Sequence, residues 1–124
     1  MTHTVTVLLV DDDPDLLDLV AEALQMHDYE VVTAHHGLEA LERIEQGRPQ
    51  LILLDMRMPI MDGWAFAAEC RRLYGHEIPI VVVTAAEDVK RRAEEVGAEG
   101  YLGKPFNLRQ LYDVIERNVG ERTP

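Results

Sequence analysis

The sequence predicts an α/β domain in which five parallel strands are wound on both faces by five helices. Three observations carry that expectation. Short β-branched runs alternate five times with segments of helical periodicity, as successive βα units of one parallel sheet do. The runs "LILL" at 51–54 and "IVVV" at 80–83 are apolar throughout, as strands covered by helices on both sides must be. Proline, glycine and capping residues stand where helices should start and stop. For five such strands the common doubly wound order is 2-1-3-4-5, with ligands at the carboxyl ends of the strands near the switch point.

In chain order, the first strand is read at Val5–Val10 and the first helix from Pro14. Proline suits a first helical turn, and Leu16, Leu17, Val20, Ala21 and Leu24 then recur at helical spacing. The second strand is Glu30–Ala34. A second helix runs from about Leu38 to Gln46, with Leu38, Leu41 and Ile44 on one face and Gly47 as its stop. Strand three is Leu51–Leu54, and a helix carrying Phe66, Ala67, Cys70 and Leu73 follows the turn and cap Asp62-Gly63. Strand four is Ile80–Thr84, followed by a shorter, more polar helix over about Asp88–Val96. Strand five is Gly100–Gly103. The last helix is capped by Asn107 and buries Leu108, Leu111, Val114 and Ile115.

Composition narrows the function. A chain of 124 residues with 47% hydrophobic and 28% charged side chains is expected to form one globular domain over 1–124, with no output domain attached. Its formal charge of −11 repels phosphate backbones, so direct nucleic-acid binding is not expected. The single cysteine, Cys70, excludes an internal disulfide, fits a reducing cytoplasm, and falls on an apolar helix face as inert core. The apolar runs are too short for a membrane span, and the N-terminus lacks a signal-peptide pattern.

The strand order turns distant positions into neighbours. Strand one ends at Asp11-Asp12, strand three at Asp55, strand four at Thr84 and strand five at Lys104. Three carboxylates, a hydroxyl and an ammonium would therefore share one sheet edge. Adjacent carboxylates repel unless something positive sits among them. Hard oxygen ligands of this kind suit Mg²⁺. A carboxylate beside such a metal can be a nucleophile toward a phosphoryl group, with Lys104 and the Thr84 hydroxyl neutralising the equatorial oxygens.

These residues lie in "LLVDDDP", "LILLDMRMPIMDG", "VVVTA" and "GYLGKPF", and with those motifs in that order the chain resembles the receiver domain of bacterial two-component response regulators. The resemblance spans almost the whole length and implies the flavodoxin-like fold of that family. It implies that Asp55 is the phosphoacceptor and that Asp12 ligates Mg²⁺ directly, with Asp11 mainly through water and the Arg57 backbone carbonyl as a further ligand. Mn²⁺ would substitute. Thr84 and Lys104 would contact the phosphoryl group, and the Lys104–Pro105 bond would be cis. A switch is implied in which Thr84 moves toward the phosphoryl group and Tyr101 rotates inward, remodelling the face of the fourth helix, fifth strand and fifth helix for a downstream protein. The donor would be a sensor histidine kinase or histidine phosphotransfer protein, in a cytoplasmic phosphorelay. The regulator would be a monomer or a phosphorylation-dependent dimer, and not an enzyme beyond its own phosphotransfer and dephosphorylation.

Plainer readings compete at several positions. Asp13 is expected to cap the first helix, and Tyr101 read alone is a packed strand aromatic. His35-His36 point to opposite faces, lack an acidic partner in register, and are expected in an exposed loop. His3, His27 and His76 receive no role. The basic islands "ECRR" and "KRR" are expected to be solvated faces, with kinase docking a minority reading. Arg57 and Ala86 depart from the family pattern beside the phosphoryl position. A haloacid-dehalogenase-like phosphatase would need a second Asp where Arg57 stands, and a flavodoxin-like cofactor protein a hydroxyl-rich loop where Asp11–Asp13 stand. No glycine-rich dinucleotide fingerprint follows strand one. A non-phosphorylated binding module, or a receiver excised from a larger regulator or hybrid kinase, remains as the alternative.

Overall fold

A computed structural model describes residues 4–119 of the chain; His3 and the last residues of the C-terminal segment lie outside them. The elements run β1 (Thr6–Val10), α1 (Pro14–Gln25), β2 (Glu30–Ala34), α2 (Gly37–Gln46), β3 (Leu51–Leu54), α3 (Gly63–Tyr74), β4 (Ile80–Ala85), α4 (Val89–Val96), β5 (Gly100–Lys104) and α5 (Leu108–Val119). The strands pair in parallel in the order β2-β1-β3-β4-β5.

The two-residue period of the strands splits the core into two layers. Leu8, Val10, Ile52, Leu54, Ile80 and Val82 face one side and pack with Phe66, Ala67 and Cys70 of α3 and Ala40 and Ile44 of α2. Val7, Leu9, Leu51, Leu53, Val81 and Val83 face the other, against Leu17 and Leu24 of α1 and Leu111 and Ile115 of α5. Phe66 is fully buried, and truncating such a ring to alanine costs about 3–5 kcal/mol through lost transfer and an unfilled cavity.

The caps explain where the helices start. The Asp13 carboxylate accepts from the amides of Asp15 at 3.0 Å and Leu16 at 3.3 Å, with Pro14 in the first turn of α1. Asp62 accepts from Ala65 N–H at 2.9 Å and begins α3. Asn107 and Gln110 cap each other reciprocally before α5, at 2.8 and 2.9 Å, as a capping box does. The Asp88 side chain makes no such bond, so α4 begins without one.

Several expectations need correction. Leu38, Leu73 and Leu108 are exposed rather than in the apolar stripes. Each falls in the first or last turn of its helix, and the stripes are carried by Ala40 and Ile44, by Phe66, Ala67 and Cys70, and by Leu111, Val114 and Ile115. β4 extends to Ala85 and β5 to Lys104, because Ala85 and Lys104 continue the ladder. His35 does have an acidic partner, Glu39 Oε1 at 2.8 Å from its Nδ1, and His36 caps α2 by accepting from Glu39 N–H at 3.2 Å. Nor does Arg71 lie on a solvated face. It donates to the carbonyls of Gly75, Ile78 and Gly97 and pairs with Glu99 at 2.7 Å.

Candidate functional site

Register brings the acids together. Val10 and Leu54 are partners at the ends of β1 and β3, so Asp11 and Asp55 emerge side by side. The Asp55 amide donates to Val10 O at 2.9 Å and the Asp11 amide to Ala34 O at 3.0 Å, which carries the ladders one residue past the strands and fixes both Cα positions. Asp11 and Asp55 are each 7% exposed, whereas Asp12 faces solvent. One carboxylate oxygen from each of Asp11, Asp12 and Asp55 lies within 4.8 Å of the others, the one such cluster among the described residues.

Lys104 closes the set from β5. Its half-buried ammonium donates to Asp11 Oδ2 at 2.9 Å and stands 3.8 Å from Asp55 Oδ1. Asp11 Oδ1 also accepts from the Asp13 amide at 2.9 Å. Asp11 and Asp55 therefore share one ammonium with Asp12 clustered beside them, and the imbalance shows in the titration of Asp55. Burial pushes the Asp55 carboxyl up from 3.8 to about 6, the charge of Asp11 and to a smaller degree Asp12 adds to it, and Lys104 and the Arg57 amide oppose it. Burial alone would lower the Lys104 pKa, but the hydrogen bond and charge of Asp11, with the charges of Asp55 and Asp13, hold it above the ordinary value. A surplus of clustered hard oxygens fits a small divalent cation such as Mg²⁺.

The other expected residues sit on β4, on β5 and just after β3. Thr84 is buried near the end of β4. The Lys104–Pro105 peptide is cis. Tyr101 on β5 is 43% exposed and lines a surface groove with Ala86, Val89 and Gly103. The Arg57 side chain is exposed and shares an open cleft with Asp12, Met56 and Trp64.

Several contributions to the site were not read from the sequence. A Cβ on Gly63 would lie 2.7 Å from Met56 Cα and 2.8 Å from Asp55 O, so only glycine lets α3 start against the strand end that carries Asp55. A Cβ on Gly103 would meet Ala86 Cα at 2.7 Å, which glycine likewise avoids where β5 passes the segment after Thr84. The β3–α3 loop also holds Ile60 at φ 69°, and Met61 N–H donates to Pro59 O at 2.7 Å across it. A left-handed β-branched residue at the centre of such a tight turn stores strain of order 1–3 kcal/mol. "MPIMDG" signals a turn but not this conformation. Trp64 is half-buried at the start of α3, bonded to α4.

Known proteins share this architecture. The family model for the response regulator receiver domain matches residues 7–116. The response regulator MprA of Mycobacterium ulcerans is 39% identical over 110 residues, which cover 87% of this chain and 47% of that protein. The chain thus spans about half the length of the curated relatives it matches. Among solved structures, the chemotaxis protein CheY4 of Vibrio cholerae is 35% identical with a TM-score of 0.84, covering 94% of this chain and 99% of that one. The receiver domain of NtrX from Brucella abortus is 31% identical with a TM-score of 0.84, covering 91% and 97%.

Proposed function

The chain belongs to the response regulator receiver domain family, and from that premise we propose that it accepts a phosphoryl group on Asp55 from a histidine kinase or histidine phosphotransfer protein. The observation that carries the proposal is the crowding of Asp55. Its buried carboxyl sits among Asp11, Asp12 and Lys104 with a pKa raised to about 6. Near neutral pH it is mostly ionised, hence nucleophilic, yet poorly compensated.

An Asp55 oxygen attacks phosphorus, a P–O bond forms, and the P–N bond of the donor phosphohistidine breaks. The imidazole leaves with the bonding pair and ends protonated. Asp11, Asp12, Asp55 and the Arg57 carbonyl would hold Mg²⁺, or Mn²⁺ in its place, which when bound neutralises charge on the phosphoryl oxygens. Asp11 holds the Lys104 ammonium 3.8 Å from Asp55, ready to pair with the incoming group. The Thr84 hydroxyl donates to a phosphoryl oxygen. Addition of roughly 1.5 to 2 negative charges draws Thr84 toward the phosphoryl group, and Tyr101 moves inward from its exposed position. The altered α4–β5–α5 face then meets a downstream protein, as a monomer or a dimer, in a cytoplasmic phosphorelay. No external substrate is turned over.

Water attack on the acyl phosphate returns the free Asp55. Arg57 screens that phosphorus and changes the lifetime, while the small Ala86 gives an attacking water no assistance. Arg57→Asn should therefore alter the dephosphorylation rate, measured by loss of adduct with time; an unaltered rate would refute the screening role.

Incubation with Mg²⁺ and acetyl phosphate, followed by intact mass, tests the whole reading. One phosphate adduct is expected, absent in Asp55→Asn and suppressed by EDTA at full retention of helical circular dichroism. An adduct that persists in Asp55→Asn would overturn it. Among the described residues no helix is long and apolar enough to cross a membrane.

A further inference from the structure

Trp64 makes a contact that the phosphoacceptor chemistry does not use. It stands in the first turn of α3, and its indole Nε1 donates to Glu95 Oε1 of α4 at 2.9 Å. Arg92, three residues before Glu95 on the same helix, donates to both Glu95 oxygens at 3.1 Å. The Arg92 guanidinium carbon lies 5.3 Å from the centroid of the Trp64 ring, and the Arg57 guanidinium carbon lies 6.0 Å from it. One indole thus touches a residue two positions after Asp55 and two residues of α4.

The helix it holds is otherwise weakly anchored. Only Val89 and Ala93 of α4 are buried, and no side chain caps its first turn. Its other flank borders the groove that holds Tyr101. A hydrogen bond and a cation–π pair are a sizeable share of what fixes so polar a helix.

We propose that Trp64 is a positioning residue coupling the acidic site to α4, by seating Arg57 and Arg92 on its ring while Glu95 fixes its N–H. A phosphoryl group on Asp55 offers Arg57 charge-assisted hydrogen bonds that a ring face cannot match. Arg57 then leaves the indole, the Arg92–Glu95–Trp64 packing relaxes, and α4 loosens. This route is separate from Thr84 and Tyr101. Its phosphorylation-dependent half rests on Asp55 as phosphoacceptor; its resting half does not.

Trp64 is the only tryptophan in the chain, so its fluorescence reports on this contact alone. In the unphosphorylated full chain, Trp64→Phe should speed amide exchange in α4 about five-fold while α2 is unchanged. Glu95→Gln keeps an acceptor for the indole and should stay close to wild type, whereas Glu95→Ala should behave like Trp64→Phe. With Mg²⁺ and acetyl phosphate, fluorescence of the wild type should change in step with the adduct followed by intact mass. Arg57→Gln should shrink that change about three-fold at equal adduct. Unaltered α4 exchange in Trp64→Phe, or a full fluorescence change in Arg57→Gln at equal adduct, overturns the coupling. Absence of any adduct overturns the phosphoacceptor reading and the coupling with it, while the exchange comparison separately decides whether Trp64 holds α4.

Discussion

At the carboxyl edge of the sheet, Asp11 and Asp55 share the ammonium of Lys104 with Asp12 clustered beside them, whereas at the amino edge Glu99 alone faces Arg71, His76 and a backbone amide. Glu99 accepts from Arg71 at 2.7 Å, from Ile80 N–H at 2.8 Å, and lies 2.9 Å from His76 Nδ1. Burial would raise the Glu99 pKa, but the Ile80 amide, His76 and Arg71 outweigh it and hold the carboxyl below its ordinary value. At Asp55 the balance runs the other way, and the pKa rises to about 6. Carboxylates at opposite ends of one sheet are thus treated oppositely. The amino edge spends its donors on holding α3, β4 and the α4–β5 turn together. The carboxyl edge withholds them, which leaves charge available to a cation and a phosphoryl group.

The comparison can be broken most sharply at Arg71. Arg71→Met keeps the packing of the stem but removes four hydrogen bonds, one to Glu99 and three to carbonyls, and should destabilise the fold by about 4 kcal/mol in urea unfolding. Little or no loss would mean that the amino-edge network is ornamental. Asp55→Asn should do the reverse at the other edge and stabilise the metal-free protein at pH 7 by about 2–3 kcal/mol, from about 1.4 kcal/mol per pH unit of displacement. The sign follows from linkage: with the folded pKa above the unfolded one, the native state holds the Asp55 proton more tightly. Its contribution is therefore full below pH 3.8 and lost as pH rises through about 6. The gain from Asp55→Asn should accordingly vanish near pH 4. Glu99 titrates oppositely, its contribution being present above the ordinary carboxyl value of 4.5 and lost as pH falls through its lowered pKa. The smallest effect lies at Ile60, 72% exposed and left-handed. Ile60→Asn should raise stability by up to about 1 kcal/mol, since asparagine tolerates that conformation. A loss there would show that the isoleucine side chain makes a contact worth more than its strain.

Much of this was legible from residues. Alternating β-branched runs and fully apolar "LILL" and "IVVV" implied the buried parallel sheet, and Asp13, Asp62 and Asn107 cap helices as their residue types suggest. The five chemical residues of the carboxyl edge were visible because each terminates or nearly terminates a strand. What escaped were pairings between segments distant in the chain. Nothing local in "GWAF" or "RRAEE" joins Trp64 to Glu95 across 31 positions, nor does "ECRR" show that Arg71 reaches Glu99 across 28. His35 and Glu39 are four apart and their pairing was open to view; applying strand geometry to two loop histidines hid it. The exposure of Leu38, Leu73 and Leu108 was hidden too, because helical period gives a face but not where that face runs off the sheet.

By itself the sequence determined the element order and which polar groups stand at strand ends. Those follow from period, length and capping, which are local properties of a chain. Tertiary structure decided the charge balance. Whether a carboxylate is crowded like Asp55 or satisfied like Glu99 depends on distances of 3–4 Å between segments far apart in the chain, and electrostatic energy is set by those distances and by burial.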